Sequence, residues 1–522
     1  MALFKGLLPL LLCLLGMLSS AQAEVQLPAI ISSNMVLQRD QPVKIWGTAS
    51  PGEKIAITMG SDSYEAETAA NGTWSVTLKP MKAGPVPDIT ISASNTIQLT
   101  DLLAGDVWVC TGQGNMEMTL TRATSGTLET APDEIATADY PQMRFFQVRT
   151  WKGPAQQNIP LAEWAPCSPD TAPSFSAAAY FFGRELHERL KIPVGLIQIA
   201  KSNGPVEFWT PRSAFGNTIE DANSALHYSK EYAKLKKQYD KQLENWKKRA
   251  EDAKAKQQPV PPAPPAPPTP KEFIPQIGSL FETFVRPLIP YGIKGVICYQ
   301  GEGNLGRALE YAKLMELTIQ SWRTAWEQGD FPFYQVQLPN FRIIRPNPTE
   351  SELAELREAQ VTAAKSQPNC EIVCGIIPGE DRVQSQNKLE IGKRLALSIL
   401  KNTYEKRLVD SGPTFKSVKF DGPKAIIQFD NIGSGLMIQG DTLKGFAIAG
   451  PNHKFVWATA TIQQRDTVVL QADTVATATA VRYGWADNPD VSLYNKEGLP
   501  ALPFRTDDWP GTTTPVASRK QP

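Results

Sequence analysis

The sequence predicts an α/β fold, a parallel sheet flanked by helices, with an N-terminal β-sandwich and a C-terminal β-rich module. Three observations lead there. Compact apolar runs alternate with helical stretches in the middle of the chain, short alternating segments precede them, and the alternation returns after Ser411. A chain of 522 residues also exceeds what one hydrophobic core usually serves.

The first element is an address. A short basic start ends at Lys5, Leu7 to Leu18 is apolar, and Ala21-Gln22-Ala23 has the small-x-small pattern of a cleavage site. Residues 1–23 therefore read as a signal peptide, and a secreted or periplasmic chain is expected to begin near Glu24. The run is shorter than the ~20 residues a membrane span requires, so the protein is not expected to cross a bilayer. From 24 to 100, Val43-Lys44-Ile45-Trp46, Lys54-Ile55-Ala56-Ile57, Trp74 to Leu78 and Ile89-Thr90-Ile91 alternate between turn residues such as Asn71-Gly72. That spacing predicts a small antiparallel sandwich.

From 101 to 412 the pattern changes. Val107 to Cys110, Val194 to Ile197, Gly295 to Cys298, Phe333 to Val336 and Ile372 to Ile377 read as buried strands. Helical patterns at Ala177 to Leu190, Ala308 to Trp326, Ser351 to Ser366 and Asn387 to Tyr404 separate them. Buried strands alternating with helices predict a parallel sheet, whose working site lies beyond the carboxyl ends of its strands. An insertion at 225–272 combines an amphipathic helix, with Tyr239, Leu243, Trp246 and Ala250 on one stripe, and a proline-rich spacer over Pro259 to Pro270. The stripe is expected to pack against the parent domain. A second β-rich module is predicted over 413–509, and the polar tail 510–522 is expected to be disordered.

Composition narrows the partner. Lys plus Arg equals Asp plus Glu at 53 each, giving a formal net charge of zero, which removes the electrostatic case for nucleic acid or an anionic membrane. Cys110, Cys167, Cys298, Cys370 and Cys374 are an odd, sparse set after the leader. They match neither a disulfide framework nor a zinc pattern and read as buried free thiols. No metal and no cofactor is expected.

The chemistry-bearing segment follows the Val107 to Cys110 strand: Thr111-Gly112-Gln113-Gly114-Asn115-Met116-Glu117. It resembles the nucleophile block of the sialate O-acetylesterase-like carbohydrate esterases, whose core is of the SGNH hydrolase type. The resemblance extends to Met35 to Asp40, Ala179 to Leu186, Pro290 to Ile297 running into Tyr299-Gln300-Gly301-Glu302, and Pro503 to Trp509. It implies a carbohydrate partner, in particular an O-acetylated sugar.

The departures from that family are as informative as the matches. The resemblance implies a nucleophilic serine where Gly114 stands. Counting back from Asn387-Lys388, it implies a histidine at Gln384, an aspartate at Arg382 and a proline at Ser385. A glycine expected to lend an oxyanion-hole N–H is Ser202 or Asn203, and a serine after Glu302 is Gly303. Without the hydroxyl no acyl-enzyme forms at 114, and glutamine cannot take a proton near neutrality. Gln113, Asn115, Gln300, Glu302, Asn304, Glu207 and Trp209 are expected to line a polar cleft with an aromatic wall suited to a sugar.

The leading expectation is a secreted chain that has lost acyl transfer and binds a glycan. The alternative is an active carbohydrate O-acetylesterase with a non-standard nucleophile. A third, a structural β-rich module of the cell envelope, rests only on the flanking modules and the inserted helix. Thr111 is a weak substitute hydroxyl, and Glu302 with Glu117 a weak carboxylate pair for glycoside chemistry. His187, His227 and His453, the chain's three histidines, fall outside the loops expected at the sheet's carboxyl edge.

Overall fold

The computed structural model describes residues 24–123, 131–152, 158–202, 204–220, 222–256, 258–264 and 277–514. The leader, Asn203 and the last eight residues lie outside them.

At the centre stands β1 (Leu102–Gly112), buried along its whole length. It is accompanied by β2 (Tyr140–Gln147), β3 (Trp164–Cys167), β4 (Val194–Ala200), β5 (Gly295–Tyr299), β6 (Phe333–Val336) and β7 (Cys370–Val373). Their order is β3-β2-β4-β1-β5-β6-β7, parallel throughout except for the antiparallel edge strand β3. Strands buried on both faces need apolar side chains at every position, which is why Val107-Trp108-Val109-Cys110 reads as a continuous run.

The helices are α1 (Gly114–Glu117), α2 (Ala177–Leu190), α3 (Ala222–Ala255), α4 (Ala308–Trp326), α5 (Glu352–Lys365) and α6 (Lys388–Asn402); α2 packs on β4, and α5 and α6 on β7. Three start on side-chain caps that satisfy orphan N–H groups. Ser176 accepts from Ala179 N, Ser351 from Ala354 N, and Asn387 from Glu390 N. In the core, Trp108 meets Phe182 of α2 and Tyr334 of β6 edge-on at 5.6 and 6.1 Å.

The N-terminal region forms a two-stranded and a four-stranded antiparallel sheet. It joins the core through β1 itself, whose first residues pair with Val36–Gln38 and Gly84–Val86. The buried Asp106 carboxylate seals this joint, accepting from Gln38 Nε2 at 3.0 Å, Arg39 Nε at 3.0 Å and Tyr404 Oη at 2.7 Å. The C-terminal region adds two four-stranded antiparallel sheets. It is tied to the core by the fully buried Arg357, which donates to the carbonyls of Leu338, Pro339, Ala486 and Asp487. Burial lowers this guanidinium to a pKa of about 10.

One expectation needs correction. Residues 510–514 are not a free tail. They pack over α5, where the Glu355 carboxylate accepts from Thr512 N at 2.6 Å and Thr513 N at 2.9 Å. In the inserted helix α3 the stripe is less exposed than its flanks, with Ala250 buried, and Trp246 Nε1 donates to Pro261 O at 2.7 Å in the proline segment after it. The five cysteines are buried and free. Burial pushes Cys370 up to about 11 and Cys167 up to about 12, so neither offers a thiolate near neutrality. Among the described residues no helix is long and apolar enough to cross a membrane.

Candidate functional site

Gly112, Ala200 and Tyr299 stand in register at the carboxyl ends of β1, β4 and β5. The chain leaves β1 for β2 on one side of it and leaves the adjacent β4 for β5 on the other, and a crevice is expected at such a switch point. Gly112 has φ +137°, and a Cβ on it would run into the Tyr299 carbonyl oxygen. Only glycine lets β1 end this close to its neighbour. The chain then turns at Gln113 into α1, which begins at Gly114.

Beneath the crevice is a hydrogen-bonded floor. Gln113 Oε1 accepts from Gly301 N and Gly303 N, both at 3.1 Å. Asn304 Oδ1 accepts from Val206 N at 3.0 Å and Gln300 Nε2 at 3.1 Å, while its amide donates to Glu207 Oε2 at 2.8 Å. Glu207 also pairs with Arg307 at 2.5 Å. Asn115 is the hub. Its Nδ2 donates to Glu302 Oε1 at 2.5 Å and Val383 O at 2.7 Å. Its Oδ1 accepts from Ser385 N at 3.0 Å and Lys388 Nζ at 2.6 Å. Loops after β1, β5 and β7 are thereby locked together.

This burial corrects the expected lining. Gln113, Asn115, Gln300, Asn304 and Glu207 are buried beneath the crevice rather than presented to it; only Glu302 is half-buried. Their polar ends turn inward because loop N–H groups and neighbouring amides need partners. Trp209 forms no aromatic wall. It is buried in the core against Phe284, with ring centroids 6.0 Å apart.

The mouth of the crevice is built from the departures. Gln384 points at Gly114, and a Cβ there would overlap the Gln384 amide nitrogen. The same Cβ would lie 3.3 Å from Ser202 Oγ. Ser202 in turn donates its backbone N–H at 2.9 Å, and its hydroxyl, to Glu117 Oε2. Arg382 is exposed, and Gly303 is exposed above Gln113. Asn203 lies outside the described residues.

The other candidate groups are placed elsewhere. Thr111 is buried, its hydroxyl turned to Ile199 O at 3.4 Å within the sheet. His187 bonds Ile192 O at 2.7 Å through Nδ1, and His453 stacks on Trp509 with centroids 3.8 Å apart. The His227 side chain lies outside the described residues. Glu117 Oε2 is engaged by Ser202, and Glu302 is held through Oε1 by Asn115 while its Oε2 is buried without a hydrogen-bond partner.

One functional-region residue escaped the sequence reading. Lys388 is fully buried below Asn115, its ammonium 4.8 Å from the Tyr299 ring centroid. Burial lowers it to about 7, opposed by the carboxylates of Glu380 and Glu302. Burial likewise raises the Glu302 carboxyl, opposed by the Asn115 hydrogen bond. A lysine at the first position of a helix, against the helix dipole, is the signal that was available. No group of three or more His, Cys, Asp or Glu suited to a metal occurs among the described residues.

No family model matches the sequence. Sialate O-acetylesterase of Rattus norvegicus is 26% identical over 530 residues, spanning 91% of this chain and 93% of the relative. The human protein of the same name is 25% identical, spanning 95% and 96%. Among solved structures, a carbohydrate acetylesterase from Xanthomonas citri is 32% identical, with TM-score 0.76, covering 93% of this chain and all of that one. The chain belongs to the sialate O-acetylesterase-like carbohydrate esterases.

Proposed function

We propose that this chain is a secreted member of the family that has lost acyl-transfer chemistry and retains glycan binding at the crevice. The observation that carries the reading is the Gln384 side chain, seated where any side chain at 114 would begin. A hydroxyl nucleophile and its neutral base are absent together, and the group standing between them does not titrate. Losing the nucleophile of a comparable triad costs about a million-fold in kcat, and loss of the base adds little. The crevice keeps polar edges at Glu302, Ser202 and Gln384, which suit the hydroxyls of a sugar. An O-acetylated sugar is the ligand that fits the family.

The test is hydrolysis of p-nitrophenyl acetate and of O-acetylated sialic acid by the purified protein. No turnover above buffer is expected; turnover abolished by Glu302→Ala would overturn the reading. Thermal shift against a panel of sugars tests binding, and a flat panel removes that half of the proposal. For export, the mature protein is expected to begin near Glu24 on N-terminal analysis.

A second reading has one observation in its favour. The Ser202 hydroxyl stands 3.3 Å from the absent Cβ and donates to a carboxylate, so an active esterase would work from Ser202 with Glu117 as base. Any turnover found should then disappear in Ser202→Ala and survive Gln384→Ala.

A further inference from the structure

Away from Gly114, the segment Ile344 to Glu350 faces the C-terminal module across a groove. Two adjoining cavities of about 280 and 370 Å³ share Pro348, Thr349, Gly445 and Trp457. Trp457 is the divide between them. Trp457 is 42% exposed, yet its Nε1 is held by Pro346 O at 2.8 Å. With its one donor occupied, this indole offers a fixed apolar face rather than a polar tip. Behind it the wall is stiff: the Arg482 guanidinium sits 4.2 Å from the Phe455 ring centroid and 5.0 Å from that of Trp485.

The charges of the groove do not cancel. Arg482 is paired with Glu350 at 2.8 Å and Asp507 at 2.9 Å, and Lys444 with Asp490 at 3.0 Å. Lys454, in the first cavity, and Arg345, in the second, are exposed and make no ion pair among the described residues. One aromatic platform therefore lies between two uncompensated cations.

We infer that this groove binds an acidic sugar, a pyranose bearing a carboxylate, with its apolar face on Trp457 and its carboxylate toward the cation on one side of the indole, Lys454 or Arg345. The two requirements select the ligand together. A small inorganic anion makes no use of the indole, and a neutral sugar makes no use of the cations. The inference goes beyond the crevice reading and does not require it. The groove is nevertheless connected to the crevice. Arg342 N donates to Asp381 O at 2.9 Å, and Asn488 Nδ2 bridges Arg342 O at 2.6 Å and Glu380 O at 3.0 Å.

The test is calorimetric titration of the full chain with 3′-sialyllactose, trigalacturonate and lactose. At least one acidic sugar should bind at least ten-fold more tightly than lactose, and raising NaCl from about 0.05 to 0.5 M should weaken it, since exposed charges are screened. Trp457→Ala should cost ten-fold or more, and Arg345→Gln with Lys454→Gln several-fold, with unchanged melting temperatures. No acidic-sugar binding by the unsubstituted chain, or equal binding by Trp457→Ala, overturns the groove. Gln384→Trp, which obstructs the crevice, separates the two sites. Binding lost there but kept in Trp457→Ala overturns the groove and leaves the crevice reading standing. The converse supports the groove and leaves the crevice reading to its own sugar panel.

Discussion

The floor and the mouth of the crevice lie within a few residues of one another in sequence, yet they obey different rules. On the floor, Asn115 makes four hydrogen bonds to three separate segments, and Gln113 and Asn304 each join two loops. Replacing any of these leaves buried donors or acceptors unsatisfied, which costs about 1–3 kcal/mol per group. At the mouth, Gln384 is half-buried and Arg382 exposed, with far less packing to lose. Floor residues are therefore held by folding, whereas Gln384 and Arg382 at the mouth have little packing to hold them. The persistence of Gln113, Asn115 and Glu302 is consequently no argument for activity, and the departures at 114, 382 and 384 bear directly on it.

The largest effect that would break this contrast is at Asn115. Asn115→Ala removes the hub and leaves Lys388 without its acceptor, so a loss of about 3–5 kcal/mol is expected in urea unfolding. A loss below about 1 kcal/mol would mean the floor is not structural. Next comes the pH dependence. Lys388 is lowered to about 7 in the folded chain, so between about pH 7 and its unfolded value near 10.4 the unfolded state binds the extra proton. Stability is gained as pH rises through that window, by up to about 1.4 kcal/mol per pH unit. Lys388→Met should flatten the slope, read as unfolding midpoints at a series of pH values.

Smaller effects belong to the mouth. Gly114→Ala asks only that the flexible Gln384 side chain swing aside, and a cost of about 1 kcal/mol or less is expected. Pairing it with Gln384→Ala should recover most of that cost, a coupling that a double-mutant cycle measures directly. Arg382→Ala should lie within about 0.5 kcal/mol of the parent, and a larger loss would show that this position has acquired a partner.

Much of the site's placement was legible in the sequence because strands buried on both faces leave an unmistakable run, and turn residues follow them. Gly112 and Gly114 after Cys110 located the carboxyl end of β1, and Asn387 before Lys388 located the start of α6. The orientation of side chains was not legible. Gln300, Asn304 and Glu207 read equally well as ligands for a sugar or as partners for loop amides, since one amide or carboxylate serves both. Trp209 reads equally well as a binding wall or as core, because tryptophan is common in both settings. Arg345, Lys454 and Trp457, which converge on one groove, carried no pattern at all, being more than a hundred residues apart at the extremes.

By itself the amino-acid sequence determined five of the seven strands described in the central sheet and the longer helices between them, the two flanking β-rich regions and the absence of a serine at 114, whereas Tyr140–Gln147 and Trp164–Cys167 carried no comparable run. Those follow from local periodicity and from single residue identities. Only the tertiary structure decided which polar side chains face inward, that Gln384 occupies the space beside Gly114, and that Lys388 lies buried under Asn115. Hydrogen-bond satisfaction in a desolvated interior depends on which distant segments meet, and that is a property of the packed chain rather than of any stretch of it.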